Sequence, residues 1–316
     1  MRDRFFERLG EMAAKDSRVF LITGDLGFGA LDKYVAGFPK QFLNCGVAEQ
    51  NMTGIATGMA LEGRVVYTYS IGNFPTLRCL EQVRNDAAYH GADVKIVCIG
   101  GGFSYGTLGM SHHATEDLGI MRSLGIPTIA PGCLWETSEA TEALAKYPGT
   151  CYLRLDKSSA GDTSRPGEAF VIGKARELRR GEDVTLIATG GILGLALSAA
   201  TDLAQRLGIT TRVLSMHTVL PLDNAAVIAA SRQTGGIVTI EEHTVNGGLG
   251  SAVAELLMES GNAPRAFQRV GLRSGFSSIV GSQEYLRGHY SMDERAIVSA
   301  AMSVARGFGV FARQSA

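Results

Sequence analysis

The chain has 316 residues, of which 45% are apolar and 19% are charged, and its formal net charge is −1. This length indicates two domains of ordinary size, and the near-neutral charge argues against nucleic acid or an anionic membrane surface as a partner. The low share of charged residues predicts extensive buried surface, either in the core or in an interface.

The cysteines and the first residues of the chain indicate where the protein resides. No two of the five cysteines form a C-x-x-C pair, and their odd number favours free thiols in a reducing compartment over disulfides or a zinc site. Residues 1–16 read as an amphipathic helix interrupted by charges, unlike a signal peptide. No apolar run reaches the roughly 18 residues needed to span a bilayer. We therefore expect a soluble, cytoplasmic protein that binds no membrane.

In the first half of the chain, short apolar strands alternate with helical patterns. Strands are predicted over residues 18–23, 64–69, 94–99, 127–131 and 150–155, and helices over 47–60, 75–90, 116–124 and 134–146. This alternation is typical of a parallel sheet covered by helices.

A polar segment rich in Ser, Gly and Pro, residues 156–168, contains the predicted linker, and the pattern then restarts. Further strands are predicted over residues 183–189, 211–216, 236–240 and 269–272, and helices over 193–207, 248–260 and 293–306. The sequence thus predicts an α/β protein made of two consecutive parallel-sheet α/β domains. Their expected limits are residues 1–158 and 169–316, with residues 159–168 as the linker.

One carboxylate stands at the start of a mostly apolar helix. Glu49 follows the turn residue Gly46, and apolar residues recur at helical spacing over residues 47–60. One interpretation is a structural partner of the helix dipole, which favours a negative charge at this end. The other is a half-buried carboxylate with a chemical task, and this stretch alone leaves both open.

A glycine-rich stretch follows the third strand, over residues 100–113, and ends in His112 and His113. In open α/β sheets, ligands bind at the carboxyl ends of the strands. A lone histidine is usually structural, but two adjacent ones at such a position leave a functional role and a structural role equally open for at least one of them. No third ligand has suitable spacing, so we expect no metal site in this chain.

Other motifs limit the classes of function. Residues 247–250 resemble part of a dinucleotide-binding fingerprint, but no acidic residue follows a second strand, so we interpret them as a tight turn into a helix. The chain has neither the phosphate-binding loop of NTPases nor the G-x-S-x-G motif of α/β-hydrolases.

As an ordered set, these features resemble a known family. Residues 46–51 are similar to the pyrimidine-domain motif of the transketolase superfamily, which depends on thiamine diphosphate. An aromatic residue at Phe74, a histidine after a glycine loop at His112 and an arginine near the end of a strand, Arg154, follow in the family's order. The second half resembles the family's C-terminal domain, notably at residues 172–175, 241–243 and 247–253.

This resemblance implies half of a split enzyme. Full transketolases begin with a domain that binds the diphosphate and a divalent metal ion through a G-D-G motif and a later asparagine, and this chain has no G-D-G. We therefore expect a partner subunit that carries this domain and binds Mg²⁺ or a similar ion, in an α2β2 heterotetramer. The chain itself is expected to be a transferase subunit that is inactive alone and binds the pyrimidine half of thiamine diphosphate.

The resemblance also assigns roles around the cofactor. Glu49 would be catalytic, sharing a proton with a nitrogen of the aminopyrimidine ring, which requires a site away from bulk water. Phe74 would stack on the face of that ring. Asp25 and Leu26 match an Asp-Leu pair that supports the cofactor in the family.

Two further residues would contact the substrate. His112 matches a catalytic histidine that contacts the donor's oxygens, and Arg154 matches an arginine that holds a sugar phosphate. The chain departs from the family at Leu108, where an acidic residue is usual, and at residues 100–102, where glycines replace a second histidine. These departures leave the identity of the sugar substrate open.

The expected activity is transfer of a two-carbon ketol unit from a ketose or ketose phosphate to an aldehyde-type acceptor. One alternative is the beta subunit of a 2-oxo-acid dehydrogenase, which would pass an acyl or glycolyl unit to a lipoyl group. A second alternative is a non-catalytic subunit that only stabilises its partner, against which the presence of Glu49, Phe74 and His112 argues.

Overall fold

The computed structural model describes residues 1–27, 29–273 and 275–307. Two β-sheets, each carrying helices, account for most of these residues. In chain order, the strands are β1 (Val19–Thr23), β2 (Phe42–Asn44), β3 (Val65–Ile71), β4 (Val94–Ile99), β5 (Thr128–Ile129), β6 (Cys151–Leu155), β7 (Arg176–Arg179), β8 (Val184–Thr189), β9 (Thr211–Ser215), β10 (Thr218–Leu220), β11 (Ile237–Thr244) and β12 (Phe267–Leu272).

Helices connect most of these strands, as the alternating pattern predicts. They are α1 (Arg2–Ala13), α2 (Asp32–Gly37), α3 (Glu49–Leu61), α4 (Leu80–Gln82), α5 (Asp117–Ser123), α6 (Leu134–Lys146), α7 (Leu193–Leu207), α8 (Asn224–Gln233), α9 (Leu249–Glu259), α10 (Gln283–His289) and α11 (Glu294–Gly307). Within the described part of the chain, no helix combines the length and the apolar composition that crossing a membrane requires.

The first sheet has seven strands in the order β10-β5-β6-β4-β3-β1-β2. Strands β1 to β6 pair in parallel, and only the edge strand β10 is antiparallel to its neighbour. The central strands are buried almost throughout, because helices cover both faces of the sheet. The carboxyl ends of β1, β3, β4 and β6 therefore meet at one edge, where the loops that follow them converge.

The second sheet has five strands in the order β12-β11-β8-β9-β7. Its pairs are parallel except for β7, which runs antiparallel to β9. Two α/β units with mostly parallel sheets confirm the predicted fold class.

The two halves share both a sheet and a core. Strand β10 lies well beyond the predicted linker in sequence, yet it pairs with β5 of the first sheet. Buried apolar residues of both halves also form one cluster, which includes Met121 of α5 and Val253 of α9. The predicted domain limits at residues 158 and 169 stay a prediction, and neither half is structurally independent of the other.

The segment predicted as one helix over residues 75–90 differs from the prediction. It consists of a 3₁₀ turn (Leu77–Cys79), the short α4 and a π-helical turn (Val83–Ala88). The Tyr89 N–H donates to the carbonyl of Arg84, five residues earlier, at 3.0 Å. Such a wide turn disturbs the regular 3.6-residue period and is frequent at functional sites.

Candidate active site

Three segments bring candidate residues together at the carboxyl edge of the first sheet. Glu49 is the first residue of α3, just after β2. Phe74 follows β3, and His112 lies in the loop after β4. Because these strands are parallel, the loops after them lie on the same side of the sheet.

The carboxylate of Glu49 is buried and faces a single cation. Only 2% of its side chain is exposed, and its Oε2 accepts a hydrogen bond from Nη1 of Arg78 at 2.7 Å. Gly24, at the end of β1, makes room for it: a Cβ at that position would lie 3.3 Å from Cγ of Glu49. The carboxylate is thus more deeply buried than the half-buried group considered from the sequence, and its guanidinium partner was not among the sequence predictions.

The contact between Glu49 and Arg78 extends to Phe74 and His112. We call these four residues the Glu49 cluster. The guanidinium carbon of Arg78 lies 4.4 Å from the centre of the Phe74 ring. The His112 ring meets the same phenyl ring edge-to-face, with centroids 5.2 Å apart. A carboxylate, a cation, an aromatic face and an imidazole therefore line one site.

His112 is half-buried, and its environment favours the neutral ring. Burial, and then the neighbouring His113, lower the pKa of His112 below its ordinary value. Its Nδ1 lies 3.0 Å from the hydroxyl oxygen of Ser111. A neutral imidazole can accept a proton as well as donate one, as proton transfer to and from a substrate requires.

His113, whose role the sequence left open, is an internal residue. It is buried, its Nε2 donates to the carbonyl of Gly106 at 3.2 Å, and its ring meets Phe103 edge-to-face at 5.0 Å. Its Nδ1 is buried without a hydrogen-bond partner. These contacts hold the loop together from the inside, so the two adjacent histidines differ in their environment.

Asp25 and Leu26 follow β1, next to Gly24 and hence close to Glu49. Asp25 has a left-handed backbone (φ 57°), which is uncommon outside glycine. Its N–H donates to Oδ1 of Asn44 and its Oδ1 accepts from Nδ2 of Asn44, both at 3.0 Å. The turn is therefore fixed to the end of β2, immediately before the stretch that carries Glu49.

Arg154 is not part of the Glu49 cluster. Its guanidinium is buried and lies 3.4 Å from Oδ1 of Asp117 and 3.3 Å from Oδ1 of Asp156. It also donates to the backbone carbonyl of Glu242 at 2.7 Å. Burial lowers the pKa of Arg154, but the two carboxylates more than offset this and raise it overall. These contacts give Arg154 a structural position, and we leave it out of the candidate site.

A groove of about 390 Å³ lies beside the Glu49 cluster. Phe74, Arg78 and Met110 line it, together with Phe276 from the second half of the chain. Phe276 is 69% exposed and Met110 is 56% exposed, although both are apolar. Within residues 1–27, 29–273 and 275–307, no group of three or more His, Cys, Asp or Glu side chains could hold a metal ion.

Comparison with protein families covers nearly the whole chain. Residues 1–162 match the transketolase pyrimidine binding domain, and residues 173–297 match the transketolase C-terminal domain.

Individual relatives agree with these matches. The chain is 37% identical to the 6-deoxy-6-sulfo-D-fructose transketolase subunit SqwH of Clostridium sp. (strain MSTE9), over 96% of this chain and 94% of that protein. It is 34% identical to an apulose-4-phosphate transketolase subunit of Phocaeicola vulgatus, over 95% of this chain and 96% of that protein.

A solved structure extends the agreement to three dimensions. A split gene transketolase, described as an inactive beta4 tetramer, superimposes with a TM-score of 0.88 at 31% identity, covering 97% of this chain and 98% of that one. The chain therefore belongs to the transketolase family: it is a subunit of a transketolase-type transferase and carries the pyrimidine-binding and C-terminal domains.

Proposed function

We propose that this chain is one half of a thiamine-diphosphate-dependent enzyme that moves a two-carbon ketol unit from a ketose donor to an aldehyde-type acceptor. The Glu49 cluster carries this proposal, because it joins a buried carboxylate, an aromatic face and a neutral imidazole. The other half of the active site belongs to a partner subunit.

The residues of the cluster fit the pyrimidine half of the cofactor. Glu49 offers a buried carboxyl group that can share a proton with a ring nitrogen, and Gly24 leaves space beside it. Phe74 offers a ring face on which a flat heterocycle can stack once the guanidinium of Arg78 moves aside. Asp25 and Leu26 form the adjoining turn. When bound, thiamine diphosphate supplies a carbon nucleophile for cleavage of the donor's carbon–carbon bond.

His112 acts on the substrate in this proposal. Its ring lies edge-on to Phe74, next to the face on which the pyrimidine would stack, and its lowered pKa favours the neutral form. It can therefore take a proton from a hydroxyl group of the donor and return it to the product. Ser111, 3.0 Å from Nδ1, can fix the orientation of the ring.

A partner subunit is needed for the diphosphate and its metal ion. The described residues offer no cluster of metal ligands, and the relatives named above are subunits. Exposed apolar side chains beside the cluster, such as Phe276 and Met110, are suited to burial in an interface. We propose that a subunit with the diphosphate-binding domain docks there, binds Mg²⁺ and forms an α2β2 heterotetramer. The unpaired cysteines of the chain fit a cytoplasmic location.

The donor is proposed to be a ketose with a terminal anionic group. The names of the two relatives specify a sulfonated and a phosphorylated ketose. Arg78 is the guanidinium of the Glu49 cluster, and guanidinium groups bind such anions through paired hydrogen bonds. With Arg154 buried among carboxylates, Arg78 takes over the anion-binding role that the sequence suggested for Arg154.

The experiment is a reconstitution with the partner subunit, thiamine diphosphate and Mg²⁺. We expect the pair to consume ketose phosphates or sulfonates when an aldehyde is supplied. The aldehyde should become a ketose two carbons longer, and the donor should be released as an aldehyde two carbons shorter. Turnover of a 2-oxo acid with a lipoyl acceptor, and none with ketoses, would favour the 2-oxo-acid dehydrogenase alternative. Equal activity of the partner without this chain would favour the non-catalytic alternative.

A further inference from the structure

Two adjacent carboxylates at the end of β11 perform different tasks. Glu241 accepts hydrogen bonds from the N–H groups of Leu249 and Gly250, both at 2.7 Å, and so stabilises the start of α9 in its own domain. Glu242 is equally buried, but because side chains alternate along a strand it points to the other side. There it meets the glycine-rich loop of the first domain.

Glu242 is held by groups from both domains. Its Oε1 accepts a hydrogen bond from the backbone N–H of Phe103 at 2.5 Å, and its Oε2 accepts from Nε of Arg287 at 2.6 Å. Gln283 donates to both oxygens, at 3.0 and 3.1 Å, and also to Oγ of Ser104 at 3.3 Å. The carboxylate is thus fully hydrogen-bonded, and it fixes the beginning of the loop to the second domain.

The same strand end also fixes the far side of the loop. The N–H of Thr244 donates to the carbonyl of Thr115 at 2.7 Å. Between these two anchors, Gly102 and Ala114 exchange backbone hydrogen bonds of 2.7 and 3.0 Å, which close residues 103–113 into a loop. His112 lies on that loop, one residue before His113.

The ring of Phe103 lies between the second domain and His113 and contacts both. One face stacks on Tyr290 of the second domain, with centroids 5.6 Å apart. The ring also contacts His113 edge-to-face at 5.0 Å, and His113 bonds across the loop to Gly106. The second domain therefore holds Phe103 by its backbone and by its ring, and Phe103 in turn supports the residue next to His112.

We propose that the end of β11 clamps the loop that presents His112, and that Glu242 is a positioning residue through which the C-terminal domain fixes the active site. The clamp itself depends only on the contacts above, and its effect on catalysis rests on the proposed function. Glu242 touches neither cofactor nor substrate and acts through Phe103.

The first test is backbone hydrogen exchange in the full chain. In Glu242→Gln, the amide has one acceptor oxygen where the carboxylate has two. When that oxygen faces Arg287, whose buried charge needs an acceptor, the amide NH2 group faces the N–H of Phe103 and the anchor on Phe103 is lost. We expect the backbone amides of residues 102–113 to exchange hydrogen about tenfold faster or more. The reason is that a charge-assisted hydrogen bond, which opposes local opening of the loop, has been lost. The matched control Glu241→Gln removes a carboxylate of equal burial one residue away, and it should leave exchange in this loop within about twofold of wild type. Unchanged loop exchange in Glu242→Gln would overturn the clamp.

The second test is steady-state kinetics of the chain paired with its partner subunit. Glu242→Gln should lower kcat about tenfold with little change in the KM of the donor, because small displacements of a catalytic group reduce turnover. Glu241→Gln should leave kcat per folded enzyme within about twofold. Gln283→Ala is a milder change, and it should also speed hydrogen exchange in the loop and lower kcat. It replaces Glu242→Gln in both tests if that variant fails to fold.

The outcomes separate the two proposals. Faster loop exchange with unchanged kcat would mean that Glu242 anchors the loop without positioning His112, which contradicts its role in catalysis. A wild-type pair without any ketol transfer would refute the proposed function, while the exchange experiment would still decide whether the clamp exists.

Discussion

Arg78 contacts both groups to which the proposed function assigns the cofactor ring, Glu49 and Phe74. Its guanidinium bonds to the carboxylate of Glu49 and covers the ring of Phe74. A heterocycle that stacks on Phe74 and bonds to Glu49 must therefore displace it. Since 45% of the Arg78 side chain is exposed, it can move into solvent without disturbing the core.

Replacing Arg78 should therefore strengthen cofactor binding. For Arg78→Gln we expect about a two- to fivefold lower Kd for thiamine diphosphate, because a partly exposed ion pair contributes about 0.5–1 kcal/mol. Calorimetric titration of the reconstituted enzyme measures this. Arg84→Gln, which alters an exposed arginine that contacts Asn85, is the control. Unchanged or weaker binding in Arg78→Gln would contradict the competition.

The titration of His112 is a second prediction about a single residue. Burial and the proximity of His113 lower its pKa, so the ring binds fewer protons than an exposed histidine near pH 6.5. NMR titration of the chain should give a midpoint below about 6.5, and His113→Gln should raise it by removing the second cause. Any step that needs neutral His112 then loses rate only as the pH falls through this lowered value. A midpoint above 6.5 in the wild type would show that the assigned environment is incorrect.

The sequence singled out Glu49, Phe74 and His112, which the fold brings together, but not Arg78. Phe74 directly precedes the helix predicted over residues 75–90, and Arg78 follows it by four residues, a spacing that places two side chains on one face of a helix. This spacing was the available signal. The pairing of Glu49 with Arg78 joins residues 29 positions apart, and no local pattern reports such a contact. For Arg154, the strand that carries it was correctly predicted, but the surroundings of its side chain were not. Both faces of this strand are buried, so the sequence pattern does not indicate towards which face a given side chain points.

Arg154 connects three elements of the fold. From β6 it reaches Asp117 in α5, Asp156 after its own strand and the backbone of Glu242 in β11. Tyr152, two residues earlier on β6, donates its hydroxyl to the same Asp117 at 2.5 Å. The buried charges are thereby paired, and they join the first sheet to the second.

Loss of this arginine should destabilise the chain. Arg154→Gln leaves two buried carboxylates without their cation, and we expect a loss of about 3–5 kcal/mol in the free energy of unfolding. Urea denaturation of the chain measures it. Arg180→Gln, at a side chain that is 95% exposed, should change stability by less than about 0.5 kcal/mol. A small loss of stability in Arg154→Gln, together with a large rise in the KM of the donor, would contradict the structural role of Arg154. It would show instead that Arg154 binds the substrate.

Among the elements, long and strongly patterned segments were predictable and short ones were not. Strands β1, β3, β4, β6 and β8 and helices α6, α7 and α9 lie close to their predicted positions. Short elements such as α2, β2 and β10 were missed, because they contain too few residues to display a period. The pairing of β10 with β5 depends on the tertiary structure, and the sequence pattern near residues 218–220 does not indicate it.

At the scale of the whole molecule, the two domains act as one unit. The first sheet takes its edge strand from the second half, and one apolar cluster spans both. The contacts of Glu242 and Thr244 add a polar connection beside the candidate site. A C-terminal domain placed in this way contacts the loop of His112 without contributing a side chain to the Glu49 cluster.

The central claim is that Glu49 belongs to half of an active site, which a partner subunit completes. Its most direct test is the ketol-transfer rate of the chain alone, of the reconstituted pair, and of the pair carrying Glu49→Gln. We predict no turnover for the chain alone, turnover for the pair, and a rate at least about 100-fold lower for Glu49→Gln, with assembly intact. Glu62→Gln, just beyond the other end of α3, should match the wild type. Turnover by the chain alone, or an unchanged rate in Glu49→Gln, would contradict the claim.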